Sequence, residues 1–121
     1  MPRPVLDEVR IHSAIRARVA ANHADLIAEV EKAIANHAVV VVGMAINPFP
    51  KKARKLLDAA GVDYHYLEYG SYFSDWRRRT ALKMWSGWST FPMVFVKGCL
   101  IGGADDLGKL IASHELEALL A

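Results

Sequence analysis

Apolar positions recur along this chain with two different periods, and the switches between them mark out its elements. Over residues 6 to 23, Ile11, Ile15 and Val19 return every fourth position between charges, which predicts an amphipathic helix. A second helix follows, capped by Asn22 or Asp25, with Leu26, Ile27, Val30, Ala33 and Ile34 on its apolar face. It feeds into HAVVVVGM, a continuous β-branched run of strand length that predicts burial on both faces of a sheet. Residues 48 to 60 return to helical spacing, with Ala53, Leu56, Leu57 and Ala60 inward and Gly61 as the stop. VDYHYLEY alternates as a second strand, so strand, helix and strand predict a parallel pair joined by a right-handed crossover.

Ser74 or Asp75 caps the next helix, whose predicted inward face is Trp76, Thr80 and Met84, with Ala81 and Trp85 beside them. After the turn SGWSTFP, the strands MVFV and CLI flank Lys97-Gly98 as a hairpin. GGADDLGKLIASHELEALL closes the chain with a Gly-Gly turn, an Asp cap and one or two short helices. The expected fold class is α/β: a four-stranded mixed sheet flanked by helices, in which the first two strands pair in parallel and the hairpin supplies the antiparallel edge.

Composition narrows the function classes. A chain of 121 residues fits one domain, and its net charge of +2 is too mild to nominate an acidic polymer, so nucleic acid is not an expected partner. No apolar run approaches the roughly 20 residues of a bilayer span, and MPRPVLDEVR lacks the apolar centre of a signal peptide; the expected location is the cytoplasm and no membrane contact is expected. Cys99 stands alone, so neither an internal disulfide nor a cysteine-built zinc site can form. The five histidines share no metal-ligand spacing, and no metal is expected.

Three stretches together resemble one family. WSTFPMVFVKG followed by LIGGADDL is similar to the glutaredoxin pattern of a Trp-x-Thr-Val/Phe-Pro turn, a hairpin and a Gly-Gly-x-Asp helix start. NPFPKKARKLLDAAGVDY resembles the segment in which glutaredoxins carry Cys-Pro-Tyr-Cys or Cys-Gly-Phe-Ser, and the helix leading into VVVVGM resembles the entry of the monothiol branch. The resemblance implies a thioredoxin-like fold with an extra N-terminal helix: residues 1–24 as an extension and 25–121 as the glutaredoxin-like domain. It also implies a glutathione site at Phe49, Thr90, Phe91, Pro92, Gly103, Ala104 and Asp105, with a cis proline at position 92 and the helix start at 103–105 meeting a carboxylate.

At the positions of the family's two thiols this chain has Asn47 and Pro50. Thiol-disulfide exchange needs a thiolate that attacks sulfur, and a carboxamide cannot do it. Asn47 reads instead as a helix cap with Pro48 at the first helical position. A lysine used by many members for the glycyl carboxylate falls at Met44, with Lys51 or Lys52 able to replace its charge. No cofactor is expected to be required and no iron-sulfur cluster is expected, because such clusters rest on thiolates.

The expected function is a binding module for glutathione, another γ-glutamyl or thiol-bearing molecule, or a protein segment. The alternative is a glutathione-dependent oxidoreductase acting through Cys99 or a partner thiol. A weaker third reading gives Lys51, Lys52 and the run Arg77, Arg78, Arg79 to an anion or nucleic acid. The lysines and arginines read first as solvated surface, Cys99 as a buried or half-buried inert thiol, Trp85 and Trp88 as packing, and the N-terminal helix as a possible oligomer contact.

Overall fold

The computed structural model of the protein describes residues 3–71 and 73–121. A short 3₁₀ turn at Glu8–Arg10 precedes α1 (Ser13–Ala21) and α2 (Ala24–Asn36). β1 (Val39–Gly43), α3 (Pro48–Ala59) and β2 (His65–Glu68) come next, then α4 (Trp76–Ser86), β3 (Met93–Val96), β4 (Cys99–Gly102), α5 (Ala104–Ala112) and α6 (Glu115–Leu120). The sheet order is β2-β1-β3-β4. β1 runs parallel to β2 with Val40 opposite His65, and antiparallel to β3 with Val40 opposite Phe95. This is the thioredoxin-like α/β arrangement that the pattern and the resemblance predict.

β1 is buried along its whole length because helices cover both faces of the sheet. Val40 and Val42 face α2 and α4, packing with Leu26, Val30, Leu82, Met93 and Phe95. Val39 and Val41 face α3, α5 and α6, among Ala53, Leu57, Val94, Leu107 and Leu116. The hairpin turn carries Lys97 and Gly98 at φ 48° and 82°, the paired left-handed conformation of a tight two-residue connection.

Several local expectations fail. The helix predicted over residues 6 to 23 breaks at Ile11, and His12 caps α1 through Nδ1, which accepts from the Ala14 amide at 3.0 Å. α1 has no buried residue, and Ile15 and Val19 are exposed. His23, in the left-handed region, precedes α2 in place of a side-chain cap from Asn22 or Asp25. Ala60 lies outside α3 and is exposed, whereas Gly61 does end the helix region at φ 69°.

α4 is rotated relative to its predicted face. Trp76, Thr80 and Met84 are exposed, while Arg79, Ala81 and Leu82 are buried and Trp85 is half-buried. The cause is polar. Arg79 donates to the carbonyls of Tyr69 (3.2 Å) and Ser74, closing the loop after β2, and it cannot reach them from the solvent side. Of the arginine run only Arg77 and Arg78 remain at the surface, over the rings of Trp76 and Tyr69. Cys99 is exposed, against the expectation of burial.

Candidate functional site

The site is built where the C-terminal end of β1, the turn before β3 and the start of α5 converge. Asn47 caps α3: its Oδ1 accepts from the Phe49 amide at 3.0 Å, and Pro48 occupies the first helical position, where no intrahelical amide partner exists. Pro50 is buried under this turn. A Cβ on Gly43 would fall 2.8 Å from Pro50 Cβ and 2.9 Å from the Tyr66 hydroxyl, so the close approach of helix start and strand requires a glycine there. Burial, and then the hydrogen bond to Glu68, push Tyr66 up to about 12, which keeps its hydroxyl a neutral donor against that turn.

The Phe91-Pro92 peptide is cis. Around it lies a cavity of about 250 Å³ whose wall includes Phe49, Thr90, Phe91 and Pro92 on one side and Gly103, Ala104 and Asp105 on the other. The structure thus brings together every residue the resemblance nominates for a ligand. It adds two that sequence reasoning missed, Trp88 and Asp106. Trp88 Nε1 is buried without a hydrogen-bond partner among the described residues, although a buried indole N–H ordinarily has one. The available signal was position: Trp88 sits two residues before Thr90, within the same turn.

Asp106, not Asp105, closes the α5 start. Its Oδ2 accepts from the Gly103 amide at 3.0 Å, leaving the next amides of α5 without intrahelical partners. Asp105 instead accepts from Lys52 Nζ at 2.9 Å, and this hydrogen bond and charge hold its carboxyl below the usual carboxylate range. Lys52 therefore spans α3 and α5 at the rim. Lys83 stands 5.8 Å from the centroid of the Phe91 ring, and Met44 is buried, so no cation from position 44 reaches the groove.

Cys99 lies elsewhere. It pairs with Val96 at the end of the hairpin, whereas the groove lies at the Met93 and Gly102 end, about 10 Å away at some 3.3 Å per strand residue. Among the described residues no group of three or more His, Cys, Asp or Glu side chains is placed to hold a metal ion. His37 and His65 instead stack on one another, centroids 4.3 Å apart. No described helix is long and apolar enough to cross a membrane.

Residues 39–101 match the glutaredoxin family model. A glutaredoxin-like protein of Dictyostelium discoideum is 57% identical over 87 residues, covering 72% of this chain and 71% of that protein. A probable monothiol glutaredoxin, GrlA, of Legionella pneumophila is 36% identical over 72 residues, 60% of this chain and 78% of its own length. Among solved structures, oxidized glutaredoxin 2 from Chlamydomonas reinhardtii superposes with a TM-score of 0.68 at 31% identity, covering 80% of this chain and 92% of that one. A buckwheat glutaredoxin solved as a glutathione complex superposes at 0.67 with 22% identity over 79% and 87% of the two chains, a likeness of fold.

Proposed function

The chain belongs to the glutaredoxin family, and from that premise we propose that it binds glutathione or a related γ-glutamyl ligand in the cis-proline groove without itself carrying out thiol-disulfide exchange. The observation that carries this reading is the groove beside Pro92, where a buried indole N–H lacks a partner among the described residues and the first amides of α5 are open to an anion. An extended ligand lying along Phe91 would place a carboxylate at Ala104 and Asp105, and its apolar parts would rest on Phe49 and Trp88. A dianionic ligand would also meet Lys52, already shared with Asp105.

The chemistry of exchange is what this groove lacks. Position 47, where the resemblance puts the nucleophile, holds an amide oxygen committed to the Phe49 amide, and position 50 holds a buried proline. Cys99 is on the wrong end of the hairpin to attack a ligand held at Pro92. The same donor set does not fit an iron-sulfur cluster, since the groove offers a hydroxyl, carboxylates and an indole N–H but no thiolate.

Calorimetric titration with reduced glutathione, run beside a turnover assay with glutathione and a small mixed disulfide, tests the proposal. Expected are saturable binding weakened about tenfold or more by Trp88→Ala, and turnover at the background rate in both wild type and Cys99→Ser. Absence of binding heat sinks the ligand half. Turnover abolished by Cys99→Ser sinks the other.

A further inference from the structure

The cations of α3 fan around its exposed face, with Lys51, Lys52 and Lys55 sharing one surface depression. Lys52 turns to the cis-proline groove, whereas Lys51, Arg54 and Lys55, spaced i, i+3, i+4 and hence on one helix face, line a separate cavity of about 540 Å³ between α3 and β2. None of those three makes an ion pair within the described residues. Arg54 lies 4.3 Å over the Tyr66 ring, which fixes its plane, and its Nε is buried with no hydrogen-bond partner among the described residues.

Two carboxylates also line this cavity, and they limit what it can bind. Glu68 already accepts from the Tyr66 hydroxyl at 3.0 Å, and Asp58 lies toward the C-terminal end of α3. Lys51, Arg54 and Lys55 against Asp58 and Glu68 leave one net positive charge. A nucleic-acid backbone, with a phosphate at every step, would set two repulsions against three attractions. A peptide carrying spaced carboxylates suits the pattern better, because its charges can fall opposite the cations alone.

The sheet supplies the second half of the argument. Among the described residues β2 ends the strand order and pairs only with β1, so one row of its amides and carbonyls has no ladder partner there. Ile46, 76% exposed, stands at the end of the cavity next to Asn47 and offers an apolar contact there.

We infer that the open edge of β2 and the cationic face of α3 together form a docking groove for an extended acidic segment of a partner protein. The segment adds a strand beside His65–Glu68 and sets alternate carboxylates against Lys51, Arg54 and Lys55, with an apolar residue on Ile46. Main-chain pairing supplies the affinity and the cations select for acidic side chains. This groove is distinct from the one at Pro92, so the two ligands bind without competing.

The full chain is titrated against a fluorescently labelled peptide of alternating glutamate and valine, with its lysine-valine counterpart and an oligonucleotide as comparisons. The glutamate peptide is expected to bind with an affinity that falls as salt rises, and to slow amide hydrogen exchange at His65–Glu68. Lys51→Glu combined with Lys55→Glu is expected to weaken it at least about tenfold, and Arg54→Met, which keeps the lysines, to weaken it less. Saturating reduced glutathione should not displace it, whether or not glutathione itself binds. Equal binding of the lysine peptide or the oligonucleotide, indifference to all three substitutions, or protection at the Phe91-Pro92 turn in place of β2 would overturn the inference.

Discussion

Lys52 of α3 donates to the Asp105 carboxylate of α5 at 2.9 Å, tying together two helix starts separated by 53 positions in sequence. The pair makes the rim of the cis-proline groove nearly charge-balanced before any ligand arrives, and it places the lysine that could meet a carboxylate beside a competing one.

The hydrogen bond and charge of Lys52 lower the titration of Asp105 in the folded protein. A carboxyl lowered on folding stabilises above its unfolded value, and that contribution fades as pH falls through the lowered one. Because both side chains are exposed, the effect on global stability is small. Lys52→Met should return Asp105 upward to the ordinary carboxylate range when its side-chain carbon is followed by NMR against pH. An unmoved titration would mean that the ion pair does not persist in solution.

Asn47→Ala removes the oxygen that accepts from the Phe49 amide and should lower stability by about 1 kcal/mol in a urea melt. Asn47→Cys places a thiol at the same helix start, where the open amides favour its anion. Its thiolate absorbance should therefore rise at lower pH than that of a free cysteine, ordinarily about 8.5. A titration indistinguishable from free cysteine would show that the helix start is not aimed at this position.

Gly43→Ala drives a methyl against Pro50 and the Tyr66 hydroxyl, neither able to yield without moving the start of α3 or the end of β2. The expected cost is about 1–3 kcal/mol, typical of overpacking. Loss of glutathione affinity larger than the loss of stability would show that the shift reaches the groove.

Arg79→Ala strips the carbonyls of Tyr69 and Ser74 of their donor and opens a buried volume, so it should cost about 2–3 kcal/mol. Arg77→Ala, at the exposed start of the same helix, should stay within about 0.5 kcal/mol. Equal thermal midpoints for the two variants would contradict the rotation of α4 described above.

Sequence by itself determined the elements whose causes are local. The β-branched run of β1, the Lys97-Gly98 turn, the Asn-Pro start of α3 and the succession of elements along the chain each follow from backbone preference and periodicity within a few residues. The residues around Pro92 were legible through the resemblance, and the fold brings them to one cavity. Tertiary structure alone decided what depends on partners far along the chain. Periodicity cannot tell whether a helix has anything to pack against, so the apolar positions of α1 stay exposed. Nor can it show that two backbone carbonyls will draw Arg79 inward and turn α4 with it. Lys52 and Lys51 are neighbours with identical chemistry, yet one meets Asp105 and the other a separate cavity, because adjacent helix positions point about 100° apart and only the packed sheet sets what lies in each direction.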